Sequence, residues 1–352
     1  MKEYISYFRS EIDAMEGYTP GEQPKDRKII KLNTNESPAA PSPLVAKALA
    51  EFDSENLRLY PDPVFTALRE EIASQNDVEA ENVIAGNGSD DILTITARCF
   101  SSAEKPLACF TPSYSLYKTL AGLQGAPLIT IPLEEDFSMP ENTLVQAEKA
   151  NLFMIARPNA PTGNLFPMEK IEEICENFKG IVFIDEAYAD FSIDSCVPLV
   201  KKYPNVIVSR TFSKSRSLAG LRFGYAIAHK EIIAGLMKMK DSYNVPMLTQ
   251  KLAMASLKDP EFFRNHVETI KANRTFLAEE LAKLGFVSIP SYTNFLFTKP
   301  PCGGEAFFKA LREKGIVVRY FPGRQTGDYV RITIGSREEC EALLKAAKEI
   351  LN

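Results

Sequence analysis

The sequence lacks the residue patterns on which several classes of site depend. It has only two histidines, His229 and His266, and its six cysteines never form a C-x-x-C pair. Histidine-based catalytic triads, multi-histidine metal sites and disulfide frameworks therefore have poor support. We predict no metal site, and we expect the cysteines to be isolated, buried thiols in a reducing cytosol.

Excess positive charge and long apolar runs are also missing. The 352-residue chain has a formal net charge of -5, which argues against binding to nucleic acid or to an anionic membrane surface. No stretch has the roughly 18 apolar residues of a transmembrane helix, and the N-terminus does not resemble a secretory signal. These absences predict a cytoplasmic protein that acts on small molecules.

Between about residues 65 and 230, short apolar runs alternate with amphipathic stretches of helical length, such as SDDILTITARCF (89–100). The predicted buried strands are NVIAG (82–86), PLACF (106–110), NLFMIA (151–156), GIVFIDE (180–186), NVIVSR (205–210) and FGYAIA (223–228). This alternation predicts an α/β fold in three layers, with a mostly parallel sheet covered by helices on both faces.

The pattern changes after residue 230. A helical region over about 231–285, with a break near Val245, precedes four short predicted strands, VSIP, NFLFT, IVVRYF and YVRITIG. We predict a large domain over residues 41–245 and a smaller α+β domain over 246–352. Residues 1–40 are rich in turn formers and are predicted to form an arm and part of the small domain.

Polar side chains follow three consecutive predicted strands, at the edge where parallel sheets bind ligands. Asn159 follows the first strand, Asp185 and Tyr188 follow the second, and Lys214 follows the third. The spacings are close to the roughly 30 residues of one βαβ unit, so all four side chains should reach one edge. A structural hydrogen-bond network is the alternative for each residue alone, but three coinciding strand ends favour a ligand site.

A predicted anion site lies beside this edge. In AGNGSDD (85–91), which joins a strand to a helix, Gly88, Ser89 and Asp90 place backbone N–H groups at the helix start. A dinucleotide fingerprint would need glycine at Asp91, and no P-loop motif occurs, so a single phosphate fits better than a pyrophosphate.

The stretch TFSKSRSLAGLRFGY (211–225) supplies further candidate phosphate ligands. Thr211, Ser213 and Arg222 can hold one phosphate by charge-assisted hydrogen bonds. We interpret Ser215–Ser217 as turn and surface residues.

Pyridoxal 5′-phosphate is the cofactor that uses all these groups together, because it has an aldehyde, a ring nitrogen, a ring oxygen O3′ and one phosphate. Lys214 is predicted to link the aldehyde and to act as general base. Asp185 is predicted to keep the ring nitrogen protonated, and Asn159 and Tyr188 to donate to O3′.

Two arginines are candidates for substrate binding. Arg319 and Arg331 lie in strands of alternating pattern, so both guanidinium groups can point to one face. Their forked donors suit a carboxylate or a phosphate, whereas structural ion pairs are the alternative. Asn294 can contact the backbone or the substrate, and the sequence does not decide between them.

The motifs as an ordered set resemble those of fold-type I aminotransferases, and most closely the histidinol-phosphate aminotransferase family. The matching pieces cover almost the whole chain and are KLNTNESPAAPSP (31–43), YPDP (60–63), GNGSDD (86–91), TPSYSLY (111–117), RPNAPTG (157–163), DEAYADF (185–191), TFSKSRSLAGLRFGY (211–225), YNVP (243–246), NFLF (294–297) and VRITIG (330–335).

The resemblance implies a transaminase that exchanges an amino group between L-histidinol phosphate and 2-oxoglutarate or glutamate, in histidine biosynthesis. Arg319 and Arg331 match residues that bind the substrate phosphate and the glutamate carboxylate in turn, and Asn159 is also expected near the substrate. The resemblance further assigns three tyrosines: Tyr114 to stack on the cofactor ring, Tyr18 to close over the substrate from the arm, and Tyr60 to reach the phosphate in the neighbouring subunit of a homodimer.

Three residues depart from the family pattern. Arg157 stands where Asn or Ser is usual, Ser37 where Asn is usual, and Asp91 where Glu is usual. Arg157 can form a surface ion pair or add positive charge near the substrate.

The alternative functions are an aromatic amino-acid aminotransferase, a threonine-phosphate decarboxylase of the same fold, and a non-catalytic cofactor-binding module. Such a module, for example the effector half of a transcription regulator, would need an attached DNA-binding domain or a basic patch, and the chain has neither.

Overall fold

A computed structural model describes residues 6–17, 21–24 and 28–352. Within these residues the strands are β1 (Ile30–Lys31), β2 (Val83–Gly86), β3 (Leu107–Thr111), β4 (Leu128–Pro132), β5 (Leu152–Ala156), β6 (Ile181–Asp185), β7 (Val206–Thr211), β8 (Gly224–Ala228), β9 (Val287–Ser288), β10 (Phe295–Lys299), β11 (Ile316–Val317), β12 (Arg319–Tyr320) and β13 (Val330–Thr333).

The helices of the same residues are α1 (Ser10–Ala14), α2 (Pro43–Ala50), α3 (Thr66–Asn76), α4 (Ser89–Phe100), α5 (Leu116–Leu123), α6 (Thr143–Ala147), α7 (Met168–Asn177), α8 (Leu199–Lys202), α9 (Lys230–Met239), α10 (Met247–Leu257), α11 (Pro260–Lys283), α12 (Gly304–Glu313) and α13 (Arg337–Leu351). None of them combines the length and apolarity that crossing a membrane requires.

A seven-stranded sheet with the order β2-β8-β7-β6-β5-β3-β4 forms the large domain. Only β8 runs against the other strands, so the predicted α/β fold with a mostly parallel sheet is confirmed. The six predicted strands are all present, and their near-continuous apolar runs are buried on both faces. Strand β4 was not predicted, because it lies at the sheet edge, is mostly part-exposed and ends at Pro132.

Helix α4 shows how the sequence places the site at the sheet edge. It begins at Ser89 directly after β2, and it buries Ile92, Leu93 and Ile95 against the sheet. Gly88 precedes it with a φ of 87°, a left-handed conformation that glycine adopts at little cost. The helix therefore starts at the carboxyl end of β2, as its predicted span of 89–100 requires.

The smaller sheet is antiparallel, with the order β12-β13-β10-β9. The prediction of one strand over IVVRYF is wrong, because Val318 separates β11 from β12 and the two pair with different partners. Strand β11 pairs in parallel with β1, so residues 30–31 join the small domain, whereas β12 pairs with β13.

The break predicted near Val245 separates α9 from α10. Leu252, Ala253 and Leu257 of α10 pack in the core of the large sheet, and Ile270 and Leu277 of α11 pack in the core of the small one.

Residues Asn33–Glu36, which we call the crossing segment, run between the two domains. Asn35 has a φ of 58°, and its backbone N–H donates to Thr333 Oγ1 at 3.0 Å. Asn294 Nδ2 donates to Asn35 O at 3.0 Å, so Asn294 contacts the backbone. The small sheet thus fixes this segment above the carboxyl edge of the large one.

Candidate active site

A cavity of about 1360 Å³ lies at the carboxyl ends of β3, β5, β6 and β7, between the two domains. The crossing segment lines it on the small-domain side. The predicted site residues that line it are Ser89, Asp90, Tyr114, Asp185, Tyr188, Thr211, Ser213, Lys214, Arg222, Arg319 and Arg331. The carboxyl edge of the large sheet and the facing small sheet therefore bring together side chains that are far apart in sequence.

The amine of Lys214 faces this cavity. Its Nζ donates to the backbone oxygen of Thr34 at 3.0 Å and lies 5.8 Å from the ring centre of Tyr188. Desolvation, and after it the charge of Arg331, lower the pKa of Lys214 to about 8, against the opposing charge of Glu36. Lys214 is thus neutral far more often at neutral pH than an exposed lysine.

Asp185 ends β6 and is only 5% exposed. Its carboxylate accepts hydrogen bonds from Tyr117 Oη at 3.1 Å, Ser209 Oγ at 3.3 Å and the backbone N–H of Ala187 at 3.2 Å. Burial raises the pKa of Asp185 to about 6, although these hydrogen bonds favour the ionised form. A buried carboxylate of this kind is stabilised by any cation placed next to it.

Tyr188 lies three residues beyond Asp185 and is buried edge-on against the Phe295 ring, at 5.2 Å between centroids. Its hydroxyl accepts a hydrogen bond from Asn35 Nδ2 at 2.8 Å. Burial raises the pKa of Tyr188, and the charge of Arg331 opposes this. The phenol therefore stays protonated and can donate a hydrogen bond into the cavity.

Asn159 is fully buried behind the cavity wall. Its Nδ2 donates to Pro112 O at 3.0 Å and to Thr162 Oγ1 at 2.7 Å, and its Oδ1 accepts from Ser113 Oγ at 2.9 Å. Both amide hydrogens are therefore used within the loops that follow β3 and β5. In this arrangement Asn159 fixes the wall instead of lining the cavity.

The predicted phosphate ligands cluster around the start of α4. Arg222 Nη1 donates to Ser213 Oγ at 3.3 Å, and Arg222 Nη2 donates to Asp90 Oδ2 at 3.2 Å. Thr211 Oγ1 donates to Ser213 Oγ at 3.0 Å. Backbone donors of a helix start, two hydroxyls and a guanidinium form a cradle for one anion.

Two glycines let the backbone close this cradle. A Cβ at Gly88 would lie 2.5 Å from Arg222 Nη2, and a Cβ at Gly224 would lie 2.4 Å from the backbone nitrogen of Ser89. Both distances are far below van der Waals contact. Asp91 Oδ2 accepts hydrogen bonds from the backbone N–H of Asn87 and from Asn244 Nδ2, and so stabilises the turn that precedes α4.

Arg319 and Arg331 lie opposite the cradle as direct cross-strand partners in β12 and β13. Arg331 Nη2 donates to Asn33 O at 3.0 Å, and its guanidinium lies 5.2 Å from the centres of both Phe295 and Phe321. The cavity therefore has a second cationic group, separate from Arg222.

The three tyrosines assigned by resemblance have different positions. Tyr114 lines the cavity, and its hydroxyl donates to Asp90 Oδ1 at 3.2 Å. Tyr60 is 79% exposed and stacks on Tyr243, with ring centres 4.4 Å apart, so it does not serve the cavity of its own chain. Tyr18 lies outside the described residues.

Both interpretations offered for Arg157 are wrong. The side chain is 1% exposed and does not line the cavity, so it forms neither a surface pair nor a substrate contact. It makes a bidentate ion pair with Asp194, in which Nη1 and Nη2 donate to the two carboxylate oxygens at 2.7 Å and 3.1 Å. Its Nε donates to Phe166 O at 2.8 Å. Burial opposes the charge, but Asp194 leaves the pKa of Arg157 above its ordinary value.

The interpretation of Ser215–Ser217 as surface residues is also wrong. Ser215 is buried and donates to Asp190 Oδ2. Arg216 packs between the rings of Phe212 and Phe263, 4.8 Å and 4.2 Å from their centres. Ser217 does form a turn, with a φ of 58°.

Sequence reasoning did not assign several residues that hold the site. Tyr117 and Ser209 orient Asp185, and Thr34 and Asn35 contact Lys214 and Tyr188. Ser209 had a sequence signal, because it is a polar residue at the end of the apolar run NVIVSR, and in the structure it pairs with Asp185 across β6 and β7. No local signal connects residue 34 to residue 214.

All six cysteines are free, but the expectation that they are buried is wrong for Cys99, which is partly exposed, and for Cys302, which is exposed. Among the described residues, no group of His, Cys, Asp or Glu side chains is arranged to hold a metal ion.

Comparisons with known proteins agree with this geometry. The family model described as aminotransferase class I and II matches residues 27–346. The chain is 40% identical to histidinol-phosphate aminotransferase 1 of Trichormus variabilis, over 98% of this chain and 99% of that protein. It is 42% identical to histidinol-phosphate aminotransferase of Acetobacter pasteurianus, over 95% of each chain.

Among solved structures, the chain resembles histidinol-phosphate aminotransferase from Sinorhizobium meliloti in complex with pyridoxal-5′-phosphate. The TM-score is 0.89 at 25% identity, and the match covers 99% of this chain and 98% of that one.

Proposed function

The chain belongs to the aminotransferase class I and II family, and on this premise we propose that it uses pyridoxal 5′-phosphate to transfer the amino group of L-histidinol phosphate to 2-oxoglutarate. The observation that carries this proposal is the presence of two cationic groups in one cavity. The cradle around Arg222 suits the cofactor phosphate, and Arg319 with Arg331 suits a second anion.

The residues fit this cofactor. The cradle under Arg222 exists only because Gly88 has no Cβ, a partly buried amine faces the cavity from Lys214, and a buried carboxylate ends β6 at Asp185. When bound, the cofactor supplies an electron-withdrawing ring that stabilises negative charge at the substrate Cα. Asp185 would hold a proton on the ring nitrogen, and this cation would keep the carboxylate ionised.

Lys214 has two roles in this proposal. Its Nζ would be the covalent attachment point for the cofactor. Once the substrate amine has taken that place, the freed Nζ would act as the general base that accepts the proton of the substrate Cα. A base must be neutral to accept a proton, and a pKa of about 8 gives Lys214 a much larger neutral fraction near pH 7 than an ordinary lysine has. Thr34 O gives the amine a defined resting position at 3.0 Å.

Tyr188 and Tyr114 would complete the cofactor site. The Tyr188 hydroxyl, held by Asn35, can donate to the ring O3′, and Tyr114 lies on the cavity wall beside Asp90. Asn159 supports the same region from behind, so its own contact with O3′ would require a change in its hydrogen bonds.

Arg319 and Arg331 would bind the two substrates in turn. A guanidinium fork binds a phosphate monoester and a carboxylate by the same charge-assisted hydrogen bonds. One pair can therefore hold the phosphate of histidinol phosphate in one half-reaction and a carboxylate of 2-oxoglutarate in the other. The relatives at 40% and 42% identity carry that substrate in their names, which supports this choice over an aromatic amino acid.

We also propose that the enzyme is a homodimer in the cytoplasm. Tyr60 and Tyr243 form an exposed aromatic stack, and Leu57 and Leu59 beside them are at least half exposed. Exposed apolar groups of this kind mark protein interfaces, and a second copy would bring Tyr60 near a partner's cavity. Sedimentation equilibrium of the wild type should give twice the chain mass, and Tyr60→Ala should weaken cofactor binding.

The experiment that tests the function is a donor screen that follows the absorption spectrum of the bound cofactor. Histidinol phosphate should convert the spectrum, and 2-oxoglutarate should restore it. Arg331→Met should raise KM for histidinol phosphate at least about 100-fold, as expected for two lost charge-assisted hydrogen bonds at roughly 1.5 kcal/mol or more each, whereas the exposed control Arg337→Met should not. Conversion by phenylalanine alone would favour the aromatic alternative, and release of carbon dioxide from threonine phosphate without a 2-oxo acid would refute transamination.

A further inference from the structure

An ion pair between Lys31 of β1 and Glu36 of the crossing segment has no role in the proposed reaction. Lys31 Nζ donates to both carboxylate oxygens of Glu36, and Thr34 Oγ1 donates to Glu36 Oε2 at 2.7 Å. The same Thr34 accepts the hydrogen bond of Lys214 Nζ through its backbone oxygen at 3.0 Å. Thr34 therefore connects Glu36 to Lys214, because its side chain bonds the carboxylate and its backbone oxygen accepts from the amine.

The charges around Lys214 give this chain a chemical consequence. Arg331 from β13 and Arg222 from the cradle both oppose a proton on the amine. Glu36 from the crossing segment and Asp90 from α4 favour one, and the effect of Glu36 is the larger of the two. Asp90 already forms an ion pair with Arg222. Glu36 is therefore the acidic neighbour of Lys214 whose position depends on the small domain.

Lys31 partly cancels the charge of Glu36. It lies in β1, which pairs with β11 of the small domain, whereas Lys214 belongs to the large domain. The pair lowers the pKa of Glu36 although burial opposes this, so the carboxylate is ionised at neutral pH. The small domain thus delivers a defined negative charge to the amine of the large domain.

We propose that Glu36 and Lys31 are positioning residues for Lys214: the carboxylate holds Thr34, whose carbonyl holds the amine, and the balance of the two charges sets how readily that amine gains a proton. This inference rests on the proposed function, because it concerns the amine that links the cofactor. It adds a pair of residues that touch neither substrate nor cofactor and that act in opposite directions.

The test is a pH titration of the visible absorption band of the holoenzyme, which would follow the proton on Lys214 Nζ while this nitrogen links the cofactor. Loss of the negative charge in Glu36→Gln should lower the midpoint, and loss of the competing positive charge in Lys31→Met should raise it. Each shift should be about 0.5 pH unit or more, as expected for a unit charge several ångströms away near the protein surface. The exposed pair Lys170 and Glu141 provides the matched controls Lys170→Met and Glu141→Gln, which should leave the midpoint unchanged.

Opposite shifts in the two variants would support the proposal, because a purely structural loss has no reason to reverse its sign. Unchanged midpoints, or shifts in the same direction, would overturn it while leaving the proposed function intact. Absence of any visible band in the cofactor-supplemented wild type would refute the proposed function and this inference with it.

Discussion

Replacing Asp194 by asparagine should destabilise the protein and leave its catalytic constants almost unchanged. The guanidinium of Arg157 is 1% exposed and donates two hydrogen bonds to Asp194, at 2.7 Å and 3.1 Å. With asparagine in place, the cation stays buried without its counter-charge. Arg157 does not line the cavity, so the effect should appear in stability alone.

The magnitude follows from the burial of the pair. Removing one partner of a fully buried ion pair costs roughly 3–5 kcal/mol. The Asp194 side chain is 35% exposed, so water weakens the pair, and we expect a loss of about 2 kcal/mol. With a urea m-value of roughly 3 kcal/mol/M for a chain of this size, the unfolding midpoint should fall by about 0.7 M.

Equilibrium urea unfolding of the wild type and the variant measures this loss, with KM for both substrates measured alongside. The double variant Arg157→Met, Asp194→Asn should recover part of the stability, because neither residue of the pair then carries a charge. An unchanged urea midpoint together with a raised KM for the 2-oxo acid would refute this reasoning and would make Arg157 a substrate-binding residue after all.

Three further substitutions test the site. Lys214→Ala should remove the visible cofactor band and lower kcat about a thousandfold or more, because one amine supplies both the link and the base; a retained band would mean that another residue forms the link. Asp185→Asn should lower kcat about a hundredfold. Burial raises the pKa of Asp185 to about 6, so ionisation of this carboxyl destabilises the folded wild type as the pH rises from about 4 to 6. The asparagine variant does not ionise, so without cofactor its free energy of unfolding relative to the wild type should be up to about 3 kcal/mol higher at pH 8 than at pH 4. Urea midpoints that show no such difference would contradict this prediction. Gly88→Ala should raise the Kd for the cofactor at least tenfold, because its Cβ would displace Arg222, whereas the control Gly220→Ala meets no atom within 4 Å and should leave the Kd unchanged.

Much of the large domain was predictable because its signals are local. A buried parallel strand must be apolar on both faces, so each central strand appears in the sequence as a continuous run. Strand β4 was not predicted, because an edge strand is partly exposed and does not need such a run. The run IVVRYF misled for a related reason: its residues look like one strand, but the backbone leaves one partner and joins another at Val318.

The candidate site was predictable where a side chain directly follows a strand. Asp185 and Lys214 line the cavity because the carboxyl ends of parallel strands share one edge. The surroundings of Arg157 were not predictable from that rule. Its sequence position is equally close to the edge, but its partner Asp194 belongs to a loop beyond β6 and holds it away from the cavity.

The sequence by itself determined the alternation of strands and helices, the residues at each strand end and the glycines around the anion cradle, because these depend on neighbours within a few residues. Only the tertiary structure decided what those residues contact. Asn35 and Thr34 reach Tyr188 and Lys214 across more than 150 residues of chain, and they do so because the small sheet holds the crossing segment over the edge of the large one. Hydrogen bonds and charges at such distances along the chain depend on how the two domains pack, and no local pattern of residues specifies that packing.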